Sequence, residues 1–269
     1  MKLRYGTLAL MLLGGAAITT LAGGQILMAS RSPSTSTPTA ILRGQKIVGT
    51  ILTSVDQQGR KQTLKIKDVQ LDPQDTGGDV YLYTVLSQDK TGQWHNFCLP
   101  DPKGVAKAIP LTGRWDRTGA HIDDSSITFA CTNGALAKCV RWGYKPWKTV
   151  KGISLKDYHQ ACSRMVRADY CGDGRDHTQN GTPIDVYDRL GLHQRNPKSD
   201  MAFEAAWTAE GAVYLNRTRF PGASAQLQID CPEKLASTSP KASTVARDPQ
   251  SVLPQALLFN DSFMQTVTP

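Results

Sequence analysis

Four of the chain's six cysteines lie in one short block, CTNGALAKCVRWGYKPWKTVKGISLKDYHQACSRMVRADYC, which runs from Cys131 to Cys171. A cross-link density of that kind centres the covalent framework there, so any fold the chain adopts is built around this segment. The full set is Cys98, Cys131, Cys139, Cys162, Cys171 and Cys231, an even number. In an oxidising compartment it reads as up to three disulfides. Zinc is the competing reading, but the chain has no CxxC pair and its spacings match no common ligand pattern. Six cysteines permit fifteen connectivities, and sequence does not choose among them. The expectation is that cysteines on helices pair with neighbouring elements inside the 131–171 block, with Cys98 or Cys231 tying in a flank.

The N-terminus points to the same compartment. Lys2 and Arg4 precede an uncharged, mostly apolar run from Tyr5 to Ser30. Such a run directs export. Thr20-Leu21-Ala22 offers a small-x-small cleavage site, while the length also suffices to span a bilayer of ~30 Å. A cleaved signal peptide and a retained membrane anchor through residues 5–29 therefore both stand, and each places the remainder in the periplasm or outside the cell. The net charge of +8 favours anionic surroundings such as phospholipid, acidic polysaccharide or wall polymer. Export disfavours nucleic acid as a partner.

Residues 30–40, SRSPSTSTPTA, form an extended spacer. From Gln45 onward, KIVGTILTSV, TLKIKDVQL, DVYLYTVLS and WHNFCL show strand-like alternation. Turn residues at Gln57-Gln58-Gly59, Gly77-Gly78 and Lys90-Thr91-Gly92 separate them. This predicts a small antiparallel barrel or sandwich. SITFAC adds a strand. Asn133 then caps a short helix, and a Ser154/Asp157 capping box opens a longer one. At 100° per residue, Leu155, Tyr158, Cys162, Met165 and Val166 share one face of that longer helix, and Lys156, Gln160, Ser163, Arg164 and Arg167 the other. The pattern predicts a core face and a basic solvent face. Beyond Gly172 the expectations are a strand near Thr182–Tyr187, a short helix through MAFEAAW with Ser199 or Asp200 as cap, and a strand in GAVYLNRTRF. Residues 233–269 read as a flexible tail.

AKCVRWGYKPW, DYHQACSRMVRADYCGDG, HTQNGTPIDVYD and FEAAWTAEGAV with NRTR resemble the ADYC domain family, named for the tetrapeptide present here as Ala168-Asp169-Tyr170-Cys171. The resemblance covers about residues 125–232. It implies an exported bacterial protein with a cysteine-rich domain and no assigned activity. By the same resemblance Tyr214 stands where a further cysteine is expected, which makes Cys98 with Cys231 a candidate pair. The chain then divides into a leader (1–29), a linker (30–44), a β-rich region (45–124), the ADYC-like domain (125–232) and the tail (233–269). The fold class is α+β, a β-rich part packed with a disulfide-stapled helical and β domain.

Two places carry candidate chemistry. Asp169, Asp173 and His177 are the candidate catalytic groups, and Asp173, Asp176 and His177 could offer oxygen and imidazole ligands to calcium or zinc. The bland alternative is a solvated turn at Gly172-Asp173-Gly174, and the stretch lacks the DxDxDG order of a calcium loop. His159 and Asp169 cannot form a dyad, because ten residues of helix separate them by about 15 Å. Asp169 near a helix C-terminus calls for a partner such as Arg141 or Lys145, or for backbone donors in the next loop. No GxSxG, HExxH or SxxK motif is present.

The second place is basic and aromatic. Trp142, Tyr144 and Trp147 interleave with Lys145 and Lys148, and Arg164 and Arg167 lie further on. Such a surface suits stacking on sugar rings and pairing with phosphate or carboxylate groups. Its alternative role is packing over the disulfides. The sequence thus leads to a non-catalytic binding or structural module of the cell envelope, contacting anionic polymer or lipid and needing no cofactor. An envelope hydrolase or metal enzyme using the Asp169–His177 region is the alternative.

Overall fold

The computed structural model describes residues 28–29, 45–56, 59–235 and 242–263. The leader, apart from Met28-Ala29, and the Ser/Thr/Pro linker lie outside the described residues. Among those described, no helix is long and apolar enough to cross a membrane.

The first layer is an antiparallel sheet of β1 (Met28–Ala29), β2 (Ile51–Val55), β3 (Lys61–Leu71), β4 (Tyr81–Gln88), β5 (Trp94–Asn96), β6 (Ala108–Trp115) and β7 (His121–Cys131). The order is β3-β2-β1-β7-β6-β4-β5, and β3 also pairs with β4. The sheet therefore curls back on itself. β4 meets β6 at the single pair Tyr83–Ala108, so the curl stops short of a continuously bonded barrel.

One device recurs at its turns. Asp56-x-x-Gly59, Asp89-x-x-Gly92, Asp101-x-x-Gly104 and Asp116-x-x-Gly119 each close with a glycine N–H donating to the aspartate carbonyl. In the last three, one Asp oxygen also accepts two backbone N–H groups of the turn. The glycines sit at φ between 72° and 86°, the left-handed position that ends this class of hairpin turn.

Leu64, Ile66, Val69, Tyr83, Val85 and Phe129 fill the inside of the curl, with the Cys98–Cys131 bridge among them. The outer face of β4, β6 and β7 presents Leu82, Ile109, Leu111 and Trp115 to Ala137 and Val140 of α1 (Ala135–Arg141). α2 (Lys156–Arg167) lies beyond, joined to α1 by Cys139–Cys162. Neither helix uses the expected cap. The caps fall on Gly134 and Leu155, with no side-chain hydrogen bond at either.

The basic solvent face expected for α2 is not there. Gln160, Ser163 and Arg164 are buried along with the apolar residues, because the helix is sandwiched between the β6–β7 hairpin and a second sheet. Gln160 receives the Trp115 indole N–H and donates to Gly119 O, so polar side chains on that face are satisfied inside the molecule.

The second sheet runs β10-β13-β11-β12, from β10 (Ile184–Asp188), β11 (Ala202–Thr208), β12 (Gly211–Leu215) and β13 (Leu258–Ser262); the hairpin of β8 (Thr149–Val150) and β9 (Ile153–Ser154) stands apart. Two expectations are corrected here. MAFEAAW is a strand, because Phe203 is buried against one cluster and Ala205 and Trp207 against another. The stretch read as a tail supplies β13, bonded on both edges and buried along its whole length. α3 (Pro221–Asp230), α4 (Pro232–Leu235), α5 (Ala242–Arg247) and α6 (Pro249–Val252) complete the described helices. The architecture is α+β, as expected.

Candidate functional site

The basic-aromatic segment lies across the loop that joins β3 to β4. Arg141 forks onto Asp72, with Nε 2.6 Å from one oxygen and Nη2 3.2 Å from the other, and donates through Nη1 to Asp101. Lys145 Nζ bridges Asp75 (2.6 Å) and Asp79 (2.5 Å). Trp147 Nε1 donates to the other oxygen of Asp79, which Lys148 also approaches at 3.2 Å. Burial works against charge at Asp75 and Asp79, but Lys145 and, for Asp75, backbone donors outweigh it and hold both carboxyls below the usual range. A Cβ on Gly77 would stand 2.9 Å from Lys145 Nζ, so a side chain there would push the ammonium aside.

Tyr144 is buried and donates its hydroxyl to Asp188 at 2.9 Å. Burial, then the Asp188 charge, pushes its phenol far above the ordinary range. Of the seven residues expected to contact ligand, Tyr144, Lys145 and Arg164 are therefore engaged inside the molecule. Arg167 lies elsewhere, held by Asp176 and Gly174 O. Trp142 and Lys148 remain at an open cleft of about 360 Å³ whose walls include Gln74, Asp75 and Arg141. Trp147, 38% exposed, is adjacent in sequence to Lys148.

The ADYC tetrapeptide is a structural elbow in which each residue has a separate task. α2 ends at Arg167, and Ala168 adopts the left-handed conformation (φ 51°) while fully buried. Its carbonyl accepts from His177 Nδ1 at 3.1 Å, so that nitrogen carries the ring proton. Asp169 takes the Arg164 guanidinium and accepts the N–H groups of Gly172, Asp173 and Gly174 at 3.0–3.1 Å. The expected backbone capping is present, and the charge partner is Arg164 rather than Arg141 or Lys145. Tyr170 stacks on Trp207 and donates to Glu204 at 3.1 Å. Cys171 is bonded to Cys231. The turn that follows accepts only glycine, because a Cβ on Gly172 would lie 1.7 Å from Glu210 O.

Behind the elbow Arg219 and Glu204 form a fully buried ion pair. Glu204 occupies the register shift between Phe203 and Ala205, which turns it toward Arg219 and Tyr170. Neither residue was singled out by sequence. The signal that could have pointed to Arg141 and its partners is the acid-rich DPQDTGGD facing a basic segment of opposite sign.

The candidate catalytic and metal groups are not brought together. Asp173 pairs with Arg175, which also reaches Asp230, while Asp176 pairs with Arg167. His177 is buried beneath Tyr170. His121 and His193 each contact a backbone carbonyl, of Thr112 and Trp142 respectively. Among the described residues no group of three or more His, Cys, Asp or Glu side chains is poised to hold a metal ion. His159 is buried with Nε2 3.0 Å from Leu136 O, and burial pushes its pKa down to about 4.

The disulfides are Cys98–Cys131, Cys139–Cys162 and Cys171–Cys231. The candidate pair Cys98 with Cys231 is thereby corrected. Both flanks are tied into the block, each by its nearest cysteine. No free thiol remains among the described residues, which is consistent with an exported protein.

These features define a disulfide-stapled α+β protein whose two sheets are joined through a four-residue elbow. The chain belongs to the ADYC-domain family, whose model matches residues 44–221. The match begins well before residue 125, so the curled sheet is part of the family unit. No curated protein and no solved structure matches the chain.

Proposed function

We propose that the protein is a non-catalytic binding or structural module of the bacterial envelope, periplasmic or extracellular. Its contact surface in the helical half is the cleft lined by Trp142 and Lys148 together with the neighbouring exposed Trp147, and the ligand is an anionic polymer or lipid. One observation carries the reading. Trp147 keeps its ring exposed while its N–H is fixed by Asp79, so the aromatic surface is offered at little entropic cost. The absorption of Asp169, Asp173, Asp176 and His177 into structural contacts supports a role without catalysis.

The test is retention of purified protein on wall, lipopolysaccharide and anionic-lipid fractions across a salt series. Wild type should be retained and released as salt rises, and Trp147→Ala combined with Lys148→Gln should weaken retention several-fold. Retention that ignores both salt and these substitutions would overturn the reading.

A further inference from the structure

The cations of the predicted basic-aromatic segment are largely neutralised by the β3–β4 loop, but a second cationic and aromatic surface exists whose lysines form no ion pair among the described residues. On β3, Leu64, Ile66 and Val69 are buried inside the curl. Strand alternation therefore sends Lys61, Thr63 and Lys65 outward. The register shift between Ile66 and Asp68 places Lys67 at a bulge. Because Ile66 and Val69 both face in, Lys67 and Asp68 share the outer side.

Neighbouring strands extend this face. Ile51 and Thr53 lie opposite Lys65 and Thr63, Leu86 and Asn96 continue the Lys65 row, and Gln88 pairs with Trp94. Lys65 Nζ stands 5.9 Å from the centre of the half-buried Trp94 ring.

Charge is uncompensated here. Asp68 is paired with Lys107 and Asp56 with Arg60, and Asp89 is hydrogen-bonded to His95. Lys61, Lys65 and Lys67 have no ion pair among the described residues. The chain contains no Asp or Glu before Asp56, so the N-terminal side adds no carboxylate to this face.

We infer that the outer face of β2–β5 is a docking surface for an anionic polysaccharide. Three lysines along one strand span about 20 Å at ~3.3 Å per residue, a line of charge that complements a linear polyanion. Thr53, Thr63 and the Oε1 of Gln88, whose amide nitrogen donates to Gly92 O, offer neutral hydrogen-bonding groups suited to hydroxyls. Trp94 supplies a ring for stacking beside a lysine that takes the acid group. A bilayer would be met instead by a protruding apolar tip, and the aliphatic side chains on the uncovered part of this face, Ile51, Val55 and Leu86, are set among Lys61, Thr63, Lys65 and Asn96.

The experiment compares carboxymethyl-dextran with unmodified dextran, and both with phosphatidylglycerol vesicles, using the intact chain. Wild type should bind the carboxymethylated polymer, ignore the neutral one and weaken as salt rises. The triple variant Lys61→Gln, Lys65→Gln, Lys67→Gln should lose at least tenfold in affinity. Trp94→Ala should lose several-fold while leaving the salt dependence unchanged. An unaltered far-UV circular dichroism spectrum and a single cooperative unfolding transition establish that each variant is folded.

Vesicle binding without polymer binding, no binding to either, or full affinity in the triple variant would each overturn the inference. Trp147→Ala with Lys148→Gln separates it from the cleft. Loss of binding there with retention in the β3 variant sinks the sheet face and leaves the cleft standing, and the reverse pattern does the opposite.

Discussion

The Arg219 guanidinium straddles the Glu204 carboxylate, with Nε 3.0 and 2.9 Å from its two oxygens and both side chains sealed from solvent. Other donors of Arg219 go to Met165 O, Val166 O and Thr178 Oγ1. The pair thus ties the end of α2 to β11. Removing one member leaves a buried charge without its partner, so Arg219→Met should cost on the order of 3–5 kcal/mol. The double variant Arg219→Met, Glu204→Leu should recover part of that loss. Urea denaturation of the three variants measures both, and a single-variant cost below ~1 kcal/mol would refute the assignment.

Asp169→Asn keeps the shape of the elbow and removes one acceptor oxygen. The new amide cannot accept from Arg164 or from Gly174 N–H, both of which use Oδ2. Stability should fall by about 3 kcal/mol, since a buried arginine and a backbone donor lose their acceptor together. A variant as stable as wild type would remove the tetrapeptide from its structural role.

Acid should weaken the seam between the curled sheet and α2 through His159. Its folded pKa, about 4, lies below the ordinary value of 6.5. The unfolded chain therefore binds the proton first, and stability contributed above pH 6.5 is lost as pH falls toward 4. The shift corresponds to on the order of 3 kcal/mol. His159→Gln retains a donor for Leu136 O and should flatten the stability difference between pH 7 and pH 5. An equal pH dependence in both proteins would exclude His159 as the cause.

Lys145→Met should destabilise at neutral pH by leaving Asp75 and Asp79 facing each other without the ammonium between them. The deficit relative to wild type should shrink as pH falls below ~4, because the stabilisation from carboxyls held under their ordinary value is lost from there downward. A deficit constant with pH would mean that packing, not charge, is lost.

Non-reducing peptide mapping should return the three consecutive bridges. The loops closed by Cys139–Cys162 and Cys171–Cys231 have sequence separations of 23 and 60 residues. Paired Cys→Ser replacement should cost about 3 kcal/mol for the first and about 4 kcal/mol for the second on chain-entropy grounds. Any free thiol in the mature protein, or a Cys98–Cys231 peptide, would contradict the framework.

Local pattern made the first sheet legible. Leu64 and Ile66 alternate with lysines, and each turn announces itself with glycine. The bulge at Lys67 left no comparable mark. MAFEAAW misled because Met, Ala and Glu are strong helix formers, yet burial on both faces selects a central strand. Leu258 and Phe259 were hidden in a polar tail because a strand completed by distant partners need not look like one alone. Periodicity put Arg164 on a solvent face, yet it is buried. What periodicity could not supply was the β6–β7 hairpin, whose Thr118 carbonyl and the Ala209 carbonyl of the second sheet cover it. The ion pairs of the candidate site link residues 40 to 70 positions apart, beyond the reach of any short motif.

Numbered along the chain, the cysteines pair first with second, third with fourth and fifth with sixth. A polypeptide threaded through a membrane N-terminus first would present each thiol to an oxidase just after its rightful partner had emerged and before the next rival arrived. Vectorial delivery then yields the native connectivity by order of appearance. Maturation of this protein should be indifferent to loss of a disulfide isomerase and sensitive to loss of the oxidase itself, and yields in strains lacking one or the other would distinguish the two dependencies.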